Sequence, residues 1–251
     1  VVDITERVKA KDKIEQLASK LSKYLSPQVY QSIFSGKKNV KIEAYRKKLT
    51  VFFSDIKGFT EITDRLEPEV LSKLLNSYLN EMSKIALKYG GTIDKFVGDA
   101  ILIFFGDPET KGEREDAHLC VLMALEMQER MHHLKNFWED QGITNPLEIR
   151  IGINTGYCNV GNFGSENRLD YTIIGGEVNL ASRLESNAMT GQILISQETY
   201  ALIKKHIVCE KKDEIKVKGI AHKIQTYQVV GSYKNIAQKR KILNEKFDGF
   251  N

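Results

Sequence analysis

Two aspartates in strand-like surroundings are the strongest chemical signal in the chain. Asp55 lies in FFSDIKGFTEIT (Phe52–Thr63), and Asp99 lies in DKFVGDAILIFFG (Asp94–Gly106). If the two apolar runs form neighbouring strands, both carboxylates stand at one edge of a sheet. Adjacent carboxylates are costly to ionise unless a cation lies between them. Since hard oxygen ligands suit Mg²⁺, and Mg²⁺ binds phosphates, the pair predicts a metal and phosphate site. The alternative is that each aspartate only closes a local turn.

The turn after Asp55 is a candidate phosphate site. We expect backbone N–H groups of Ile56–Thr60, those of Gly58, Phe59 and Thr60 above all, to bind phosphate oxygens, because N–H groups at the start of a helix attract anions. The glycine lets a ligand approach the backbone closely. A simple helix-entry turn is the alternative interpretation.

A second polar pair lies late in the chain. Asn179 and Arg183 are four residues apart, so they share one face of a helix whose other positions are mostly apolar. A solvated polar stripe would show the same pattern. Arg150 stands in the middle of a strand between two isoleucines, where an outward-facing arginine is the alternative to a ligand-binding one.

Apolar periodicity and turn residues predict the elements that position these side chains. The predicted strands are Leu49–Asp55, Thr92–Val97, Ala100–Phe105, Leu147–Gly156 and Ile193–Ser196, with a Gly-rich hairpin over Cys158–Ile174 and two closing strands around Val217 and Tyr227. The predicted helices are Pro68–Tyr89, Glu113 to about Gln141, Val178–Ser186 and one beginning near Gln197. This order indicates an α+β fold with a ferredoxin-like βαββαβ core and extensions.

The first part of the chain predicts a helical connector. Ile14, Leu17, Leu21 and Tyr24 follow the 3-4-3 spacing of a short coiled-coil seam. Such a helix is too short to be stable alone in water and would form when two chains are brought together. The opening VVDITERVKA resembles the closing strand and exit helix of PAS sensor domains, which implies a sensor domain upstream of Val1.

We divide the chain into a connector over 1–47, a main globular domain over 48–233 and a tail over 234–251. Residues 1–50 hold twelve Lys or Arg against five acidic residues. Acidic and apolar positions interrupt these cations, and no aromatic stacking platform accompanies them. We therefore interpret them as a solvated helix face and predict no nucleic-acid partner.

The composition is that of a globular protein, with 41% hydrophobic and 28% charged residues. No apolar run approaches the roughly 20 residues that span a bilayer, and the charged opening does not predict a signal peptide. Cys120, Cys158 and Cys209 fit neither a zinc pattern nor a disulfide framework. We expect reduced thiols and a cytoplasmic location.

Four motifs together indicate a family. FSDIKGFT, DKFVGDA, IRIGINTG and GGEVNLASRLE, in this order, closely resemble the catalytic domain of class III nucleotidyl cyclases over about Leu49–Val230. Within that family the chain is most similar to the soluble, bicarbonate-responsive adenylyl cyclases of cyanobacteria and other bacteria. The resemblance implies a head-to-tail homodimer with two active sites at its interface, each built from residues of both chains.

The resemblance also implies roles for the acidic and polar pairs. Asp55, Asp99 and the carbonyl of Ile56 would hold two Mg²⁺ ions per site, and Mn²⁺ is expected to substitute. One ion would lower the pKa of the ribose 3′-hydroxyl, and the other would hold the triphosphate. Asn179 would orient the ribose, and Arg183 would stabilise charge on the transferring α-phosphate.

Two further cations match triphosphate-binding positions of the family. Arg150 is one of them. Lys218, in the segment KVKG, is the other, and its neighbour Lys216 is the alternative at that place.

Base choice depends on Lys95 and Thr172. Lys95 stands where adenylyl members of the family carry Lys and guanylyl members carry Glu. An ammonium group only donates, so it can bind adenine N1 but not the N1–H of guanine. The usual adenylyl partner is Asp, and Thr172 departs from it. Its hydroxyl can accept from the adenine 6-amino group, but it can also donate, so we expect weaker exclusion of GTP.

Three functions compete on these residues. The first is an adenylyl cyclase that converts ATP to 3′,5′-cyclic AMP and pyrophosphate under control of an upstream sensor, with itself as dimer partner. The second is another cyclase: Lys95 argues against guanylyl cyclase, and the Asn179/Arg183 pair argues against diguanylate cyclase. The third is a non-catalytic nucleotide-binding dimerisation domain. It is disfavoured because the chain keeps both metal aspartates, Asn179 and Arg183.

Overall fold

The computed structural model describes residues 4–36, 41–140, 147–217, 223–233 and 236. The helices are α1 (Ile4–Leu21), α2 (Pro27–Phe34), α3 (Phe59–Thr63), α4 (Pro68–Tyr89), α5 (Glu113–Asp140), α6 (Gly176–Asn187) and α7 (Gln197–Ile203). The strands are β1 (Ala44–Ile56), β2 (Thr92–Val97), β3 (Ala100–Phe105), β4 (Ile149–Ser165), β5 (Arg168–Ile174), β6 (Ile193–Ser196), β7 (Ile207–Lys211) and β8 (Thr226–Ser232).

One mixed sheet organises the chain. Its strand order is β2-β3-β1-β4-β6-β8-β7, and β5 pairs with β4. Each of the first four strands in this order is antiparallel to its neighbours within that set, as in a ferredoxin-like core. Only the pairing of β4 with β6 is parallel among the described strands. The predicted α+β fold with a βαββαβ core and extensions is therefore confirmed.

The central strand β1 fixes the register on which the site depends. Along one edge β1 pairs with β4, and this ladder sets Asp55 opposite Arg150. On the opposite edge β1 pairs with β3, and Ser54 lies opposite Ile101. The Gly98–Asp99 turn that precedes β3 is consequently held beside the end of β1.

The sheet has apolar cores on both faces because side chains alternate along a strand. Phe52 and Ile56 of β1 pack in the large core under α4 and α5. Leu49 and Val51 of the same strand pack in a second core with residues of α6. The central strand is therefore buried from both sides, which stiffens the edge that carries Asp55.

Helix α6 lies unusually close to strand β4. At Gly152 of β4 a Cβ atom would overlap the backbone of Ala181 and Glu185. Glycine is therefore required here by close approach, and it sets the height of α6 above the sheet. The same helix carries Asn179 and Arg183, so this contact also positions them.

Most element bounds match the predictions, but one closing strand was predicted wrongly. Val217 is not in a strand; β7 (Ile207–Lys211) is the partner of β8 instead. Val217 is buried against Leu180 and Leu184 of α6, so its apolar side chain serves helix packing rather than strand pairing. Strand β4 runs without a break from Ile149 to Ser165, so the strand predicted to end at Gly156 is continuous with the first arm of the predicted hairpin, whose second arm is β5.

The connector is two helices rather than one. α1 ends at Leu21, a 3₁₀ turn covers Ser22–Tyr24, and α2 follows. Tyr24 therefore lies outside the helix that carries the rest of the predicted seam. Ile14 and Leu17 are 65% and 51% exposed, as an apolar seam is in a single chain. None of the described helices is long and apolar enough to cross a membrane.

Some predicted features lie outside the residues that the structure describes. They are the PAS-like closing strand at the very start of the chain, the end of the second long helix at Gln141, the cation Lys218 and the tail apart from residue 236.

Gly152→Ala tests the close packing of α6. We expect the free energy of unfolding to fall by about 1–3 kcal/mol, the usual cost of overpacking, because backbone atoms cannot move aside cheaply. Urea denaturation followed by circular dichroism measures the change. Gly176→Ala is the matched control, since a Cβ there meets nothing within 4 Å. Equal stabilities of the two variants would contradict the close approach.

Candidate active site

The structure brings the two predicted metal aspartates together. Asp99 lies in the turn between β2 and β3, and its carboxylate accepts a hydrogen bond from the Ile56 N–H at 2.9 Å. Burial, and next the neighbouring Asp55 carboxyl, raise the pKa of Asp99 to about 6. The raised pKa indicates two carboxyl groups close enough to oppose each other's ionisation.

The acidic pair fits a divalent cation with a partly open shell. Among the described residues no cluster of three or more His, Cys, Asp or Glu side chains is suited to hold a metal. An ion at this edge would therefore take two carboxylates from the chain, with the Ile56 carbonyl as a candidate third ligand. The remaining positions are left for phosphate oxygens or water, which is the coordination that Mg²⁺ favours.

Arg150 is an inward-facing part of this edge. Its guanidinium donates to Asp55 at 3.1 Å and lies 3.0 Å from the carboxylate of Glu185 on α6. Burial raises the pKa of Glu185, although Arg150 favours its charged form. The outward-facing alternative for Arg150 is excluded. Its Nε atom is buried and has no hydrogen-bond partner among the described residues.

Lys95 and Thr172, the two residues predicted to bind the base, contact the same third residue. Lys95 on β2 and Thr172 on β5 both contact the carboxylate of Asp94. The Thr172 hydroxyl donates to it at 2.6 Å, and the Lys95 ammonium lies 3.3 Å away. Burial raises the pKa of Asp94 above its ordinary value, although both partners favour the carboxylate. Lys95 and Thr172 thus form one cluster within a single chain.

Asn179 and Arg183 stand apart from the acidic pair. Both side chains are exposed on α6, while Leu180, Ala181 and Leu184 of that helix are buried. Within the described ranges neither polar side chain has a hydrogen-bond or ion-pair partner. They therefore face outward, available to a ligand or to another chain.

The turn after Asp55 has the features predicted for phosphate binding. Gly58 precedes α3 with a φ of 70°, a left-handed conformation that glycine adopts readily. No side chain caps the helix. The N–H groups of Gly58, Phe59 and Thr60 meet no acceptor within the part of the chain that the structure describes, whereas those of Ile56 and Lys57 already donate to the Asp99 carboxylate and the Glu148 carbonyl and are not available to phosphate. Three donors thus point out of one exposed turn.

Three carboxylates of this region were missed by the sequence reasoning. Asp94 was passed over beside Lys95, although Asp is disfavoured in strands and its presence there was a usable signal. Glu185 lies three residues before Ala188 and four after Ala181, on the buried side of α6. Asp107 accepts hydrogen bonds from Tyr45 and Tyr171, so the Tyr171 hydroxyl is engaged in a structural contact.

Comparisons with known proteins agree with this geometry. The profile of the "Adenylate and Guanylate cyclase catalytic domain" matches residues 40–231. The terminal-differentiation specific adenylate cyclase of Dictyostelium discoideum is 34% identical over 226 residues, 87% of this chain and 10% of that protein. The crystal structure of the adenylyl cyclase CyaB from P. aeruginosa aligns with a TM-score of 0.75 at 64% identity, over 76% of this chain and 97% of its own.

A guanylyl cyclase shares the same fold. The crystal structure of the guanylyl cyclase Cya2 aligns with a TM-score of 0.73 at 36% identity, over 76% of this chain and 95% of its own. The chain spans 10%, 28% and 41% of the length of three curated relatives, which therefore carry other regions. The fold alone does not separate an ATP enzyme from a GTP enzyme.

Asp99→Asn tests the acidic pair as a cation site. We expect Mn²⁺ affinity to fall at least about 10-fold, a loss typical even of outer ligand contacts. Electron paramagnetic resonance of free Mn²⁺ measures it. Without metal, the variant should be at least as stable as wild type, because one repelling charge is gone while an oxygen still accepts from Ile56.

That gain in stability depends on pH in a defined direction. Below the ordinary pKa of 3.8, Asp99 is protonated in both folded and unfolded wild type, so the variant has no advantage. The advantage should grow as the pH rises and be complete above about 6. Asp213→Asn, an exposed change away from the site, is the control. Unchanged Mn²⁺ affinity in Asp99→Asn would contradict the assignment.

Proposed function

This chain belongs to the family of adenylate and guanylate cyclase catalytic domains, and we propose that it is an adenylyl cyclase that converts ATP to 3′,5′-cyclic AMP and pyrophosphate. The observation that carries the proposal is the Asp55–Asp99 pair at the sheet edge, beside a turn with three free N–H groups. Similarity to CyaB at 64% identity supports the adenylyl assignment.

The chain's own residues supply alignment and charge stabilisation. Bound Mg²⁺ ions, two per site, would lower the pKa of the ribose 3′-hydroxyl and offset charge on the triphosphate. Asp55 and Asp99 would hold the cations, and the N–H groups of Gly58, Phe59 and Thr60 would donate to phosphate oxygens. Transfers at phosphorus need little covalent help from protein groups, so correct positioning accounts for most of the effect.

Arg150 changes partners when substrate binds. In the free chain its guanidinium is shared between Asp55 and Glu185. Phosphate oxygens of ATP accept hydrogen bonds from guanidinium groups in a two-pronged geometry. We therefore assign Arg150 to the triphosphate, with Glu185 as the group that keeps the side chain aimed at the site.

Each active site is completed by a second chain. Arg183 and Asn179 are exposed and contact no group of their own acidic pair. We assign Arg183 to the α-phosphate and Asn179 to the ribose of the nucleotide held by the partner's aspartates. A head-to-tail dimer then contains two equivalent sites, since a two-fold axis repeats each contact.

The adenine is read by Lys95 and Thr172. The ammonium donates to adenine N1, and the hydroxyl accepts from the 6-amino group. Both groups belong to the chain that supplies Asn179 and Arg183 to the same site.

The connector transmits a signal from an upstream sensor. The exposed seam of Ile14 and Leu17 would pair with that of a second chain. Gln28 of α2 donates to the carbonyl of Gly91 at 2.8 Å, directly before β2, so movement of the connector reaches the strand of Lys95. Because the substrate is ATP, we place the enzyme in the cytoplasm.

A product assay tests the proposal directly. Purified chain is incubated with ATP or GTP in Mg²⁺ and separately in Mn²⁺. We expect cyclic AMP from ATP, with a rate that rises more than linearly with protein concentration, and no product from Asp55→Ala, which lacks one metal ligand. Dominant cyclic GMP would overturn the adenylyl assignment. Nucleotide binding without any product would favour the non-catalytic dimerisation domain.

Mixing two inactive variants tests the shared site. Asp55→Ala and Arg183→Ala should each lose activity, the second by about 10²–10³-fold, the usual loss for a transition-state donor. In a mixed dimer one site carries both changes and the other carries neither. Random exchange should therefore restore about a quarter of wild-type activity. A mixture no more active than its components would show that each site is built within one chain.

A further inference from the structure

We propose that Asp94 is a positioning residue that sets the preference for adenine, by fixing the hydrogen-bond direction of Thr172 and the place of Lys95. This inference rests on the proposed function, because it concerns the base that the same site accepts. Asp94 itself does not touch the base. It acts through the two side chains that do.

One buried carboxylate organises both base-reading groups. The Asp94 side chain is 1% exposed, and the Lys95 ammonium is 3.3 Å from its Oδ1. Its Oδ2 accepts from the Thr172 hydroxyl at 2.6 Å and from the Ile173 N–H at 3.2 Å. Strands β2 and β5 are not neighbours in the sheet, so Asp94 joins two strands that share no backbone ladder.

The direction of the Thr172 hydrogen bond decides what the hydroxyl can do next. An ionised carboxylate only accepts, so the single proton of the hydroxyl is committed to Asp94. The oxygen can then only accept from a base. Adenine presents a 6-amino donor at this place, whereas guanine presents the O6 acceptor. Two acceptors facing each other in a buried site are costly, so guanine is excluded.

The contact with Lys95 adds a second restriction. The ammonium has three donors on a flexible stem, and one contact with Asp94 limits where the other donors point. With 45% of its side chain exposed, Lys95 remains open to a ligand. Adenine N1 accepts, whereas guanine N1 carries a hydrogen. One carboxylate therefore orders two discriminating contacts, and it compensates for the departure from Asp at the Thr172 position.

Asp94→Ala and Asp94→Asn separate these effects. We measure kcat and KM for ATP and GTP, and compare the ratio of kcat/KM for the two substrates. Asp94→Ala should lower the ATP-to-GTP ratio roughly 10- to 100-fold, the value of one or two charged hydrogen bonds. Asp94→Asn should lower it less. The amide oxygen can still accept from Thr172 and Ile173, while its nitrogen meets the Lys95 ammonium.

Two control variants distinguish positioning from general damage. Thr92→Val removes a buried hydroxyl on the strand of Asp94 that donates to the Asp107 carbonyl at 2.7 Å and does not touch the cluster, and it should leave the ratio unchanged. In a Thr172→Val background, Asp94→Ala should change the ratio much less than it does in wild type, because the hydroxyl through which it acts is gone. Additive effects in this cycle would overturn the proposal.

The remaining outcomes are equally decisive. An unchanged ratio in folded Asp94→Ala, or an equal fall in Thr92→Val, would overturn the role of Asp94 and leave the adenylyl cyclase assignment intact. If wild type makes no cyclic nucleotide, the proposed function fails instead. The Asp94 inference is then tested by equilibrium binding of 3′-deoxy-ATP and 3′-deoxy-GTP to wild type and Asp94→Asn, where an unchanged affinity ratio overturns it and a lowered one supports it.

Discussion

Repulsion between two carboxylates, held together by the sheet, is the constraint around which the site is built. The register of β1 with β3 leaves Asp55 and Asp99 no freedom to separate. The Ile56 N–H and the Arg150 guanidinium relieve part of the repulsion, yet the pKa of Asp99 remains raised. A stiff strand that is covered on both faces thus holds an unfavourable charge arrangement that a bound divalent cation would make favourable.

Helix α6 links this edge to a different set of groups. Its inner side presents Glu185 to Arg150, while its outer side presents Arg183 and Asn179. The required glycine at position 152 fixes the helix against β4, so both sides keep a constant relation to Asp55. In the proposed dimer one α6 helix would therefore serve two sites. Its Glu185 would support Arg150 of its own chain, and its Asn179 and Arg183 would contact the nucleotide held by the partner chain. Small movements between chains would then alter catalysis strongly, since alignment carries much of the rate.

Much of this arrangement was accessible from local sequence. Pro68 and Gly90 mark the ends of α4, and Gly98 with Asp99 marks the β2–β3 turn, because each signal acts over a few residues. Partners that lie far apart in sequence were not accessible. Val217 has the alternation of a strand but packs on α6, and the contact of Asp94 with Thr172 spans 78 residues. Such pairs depend on sheet register and burial, which local propensity does not determine.

The preference for adenine or guanine depends on only a few residues of the fold. Adenylyl and guanylyl cyclases align with this chain almost equally well, so the backbone is common to both. What differs is the direction of a few hydrogen bonds at the base. A hydroxyl is ambiguous because it donates or accepts as its surroundings allow, whereas a buried carboxylate is not. In the proposed site, the Asp94 carboxylate behind the Thr172 hydroxyl would make that hydroxyl a defined acceptor, so selectivity would depend on Asp94 as well as on the residues that contact the base.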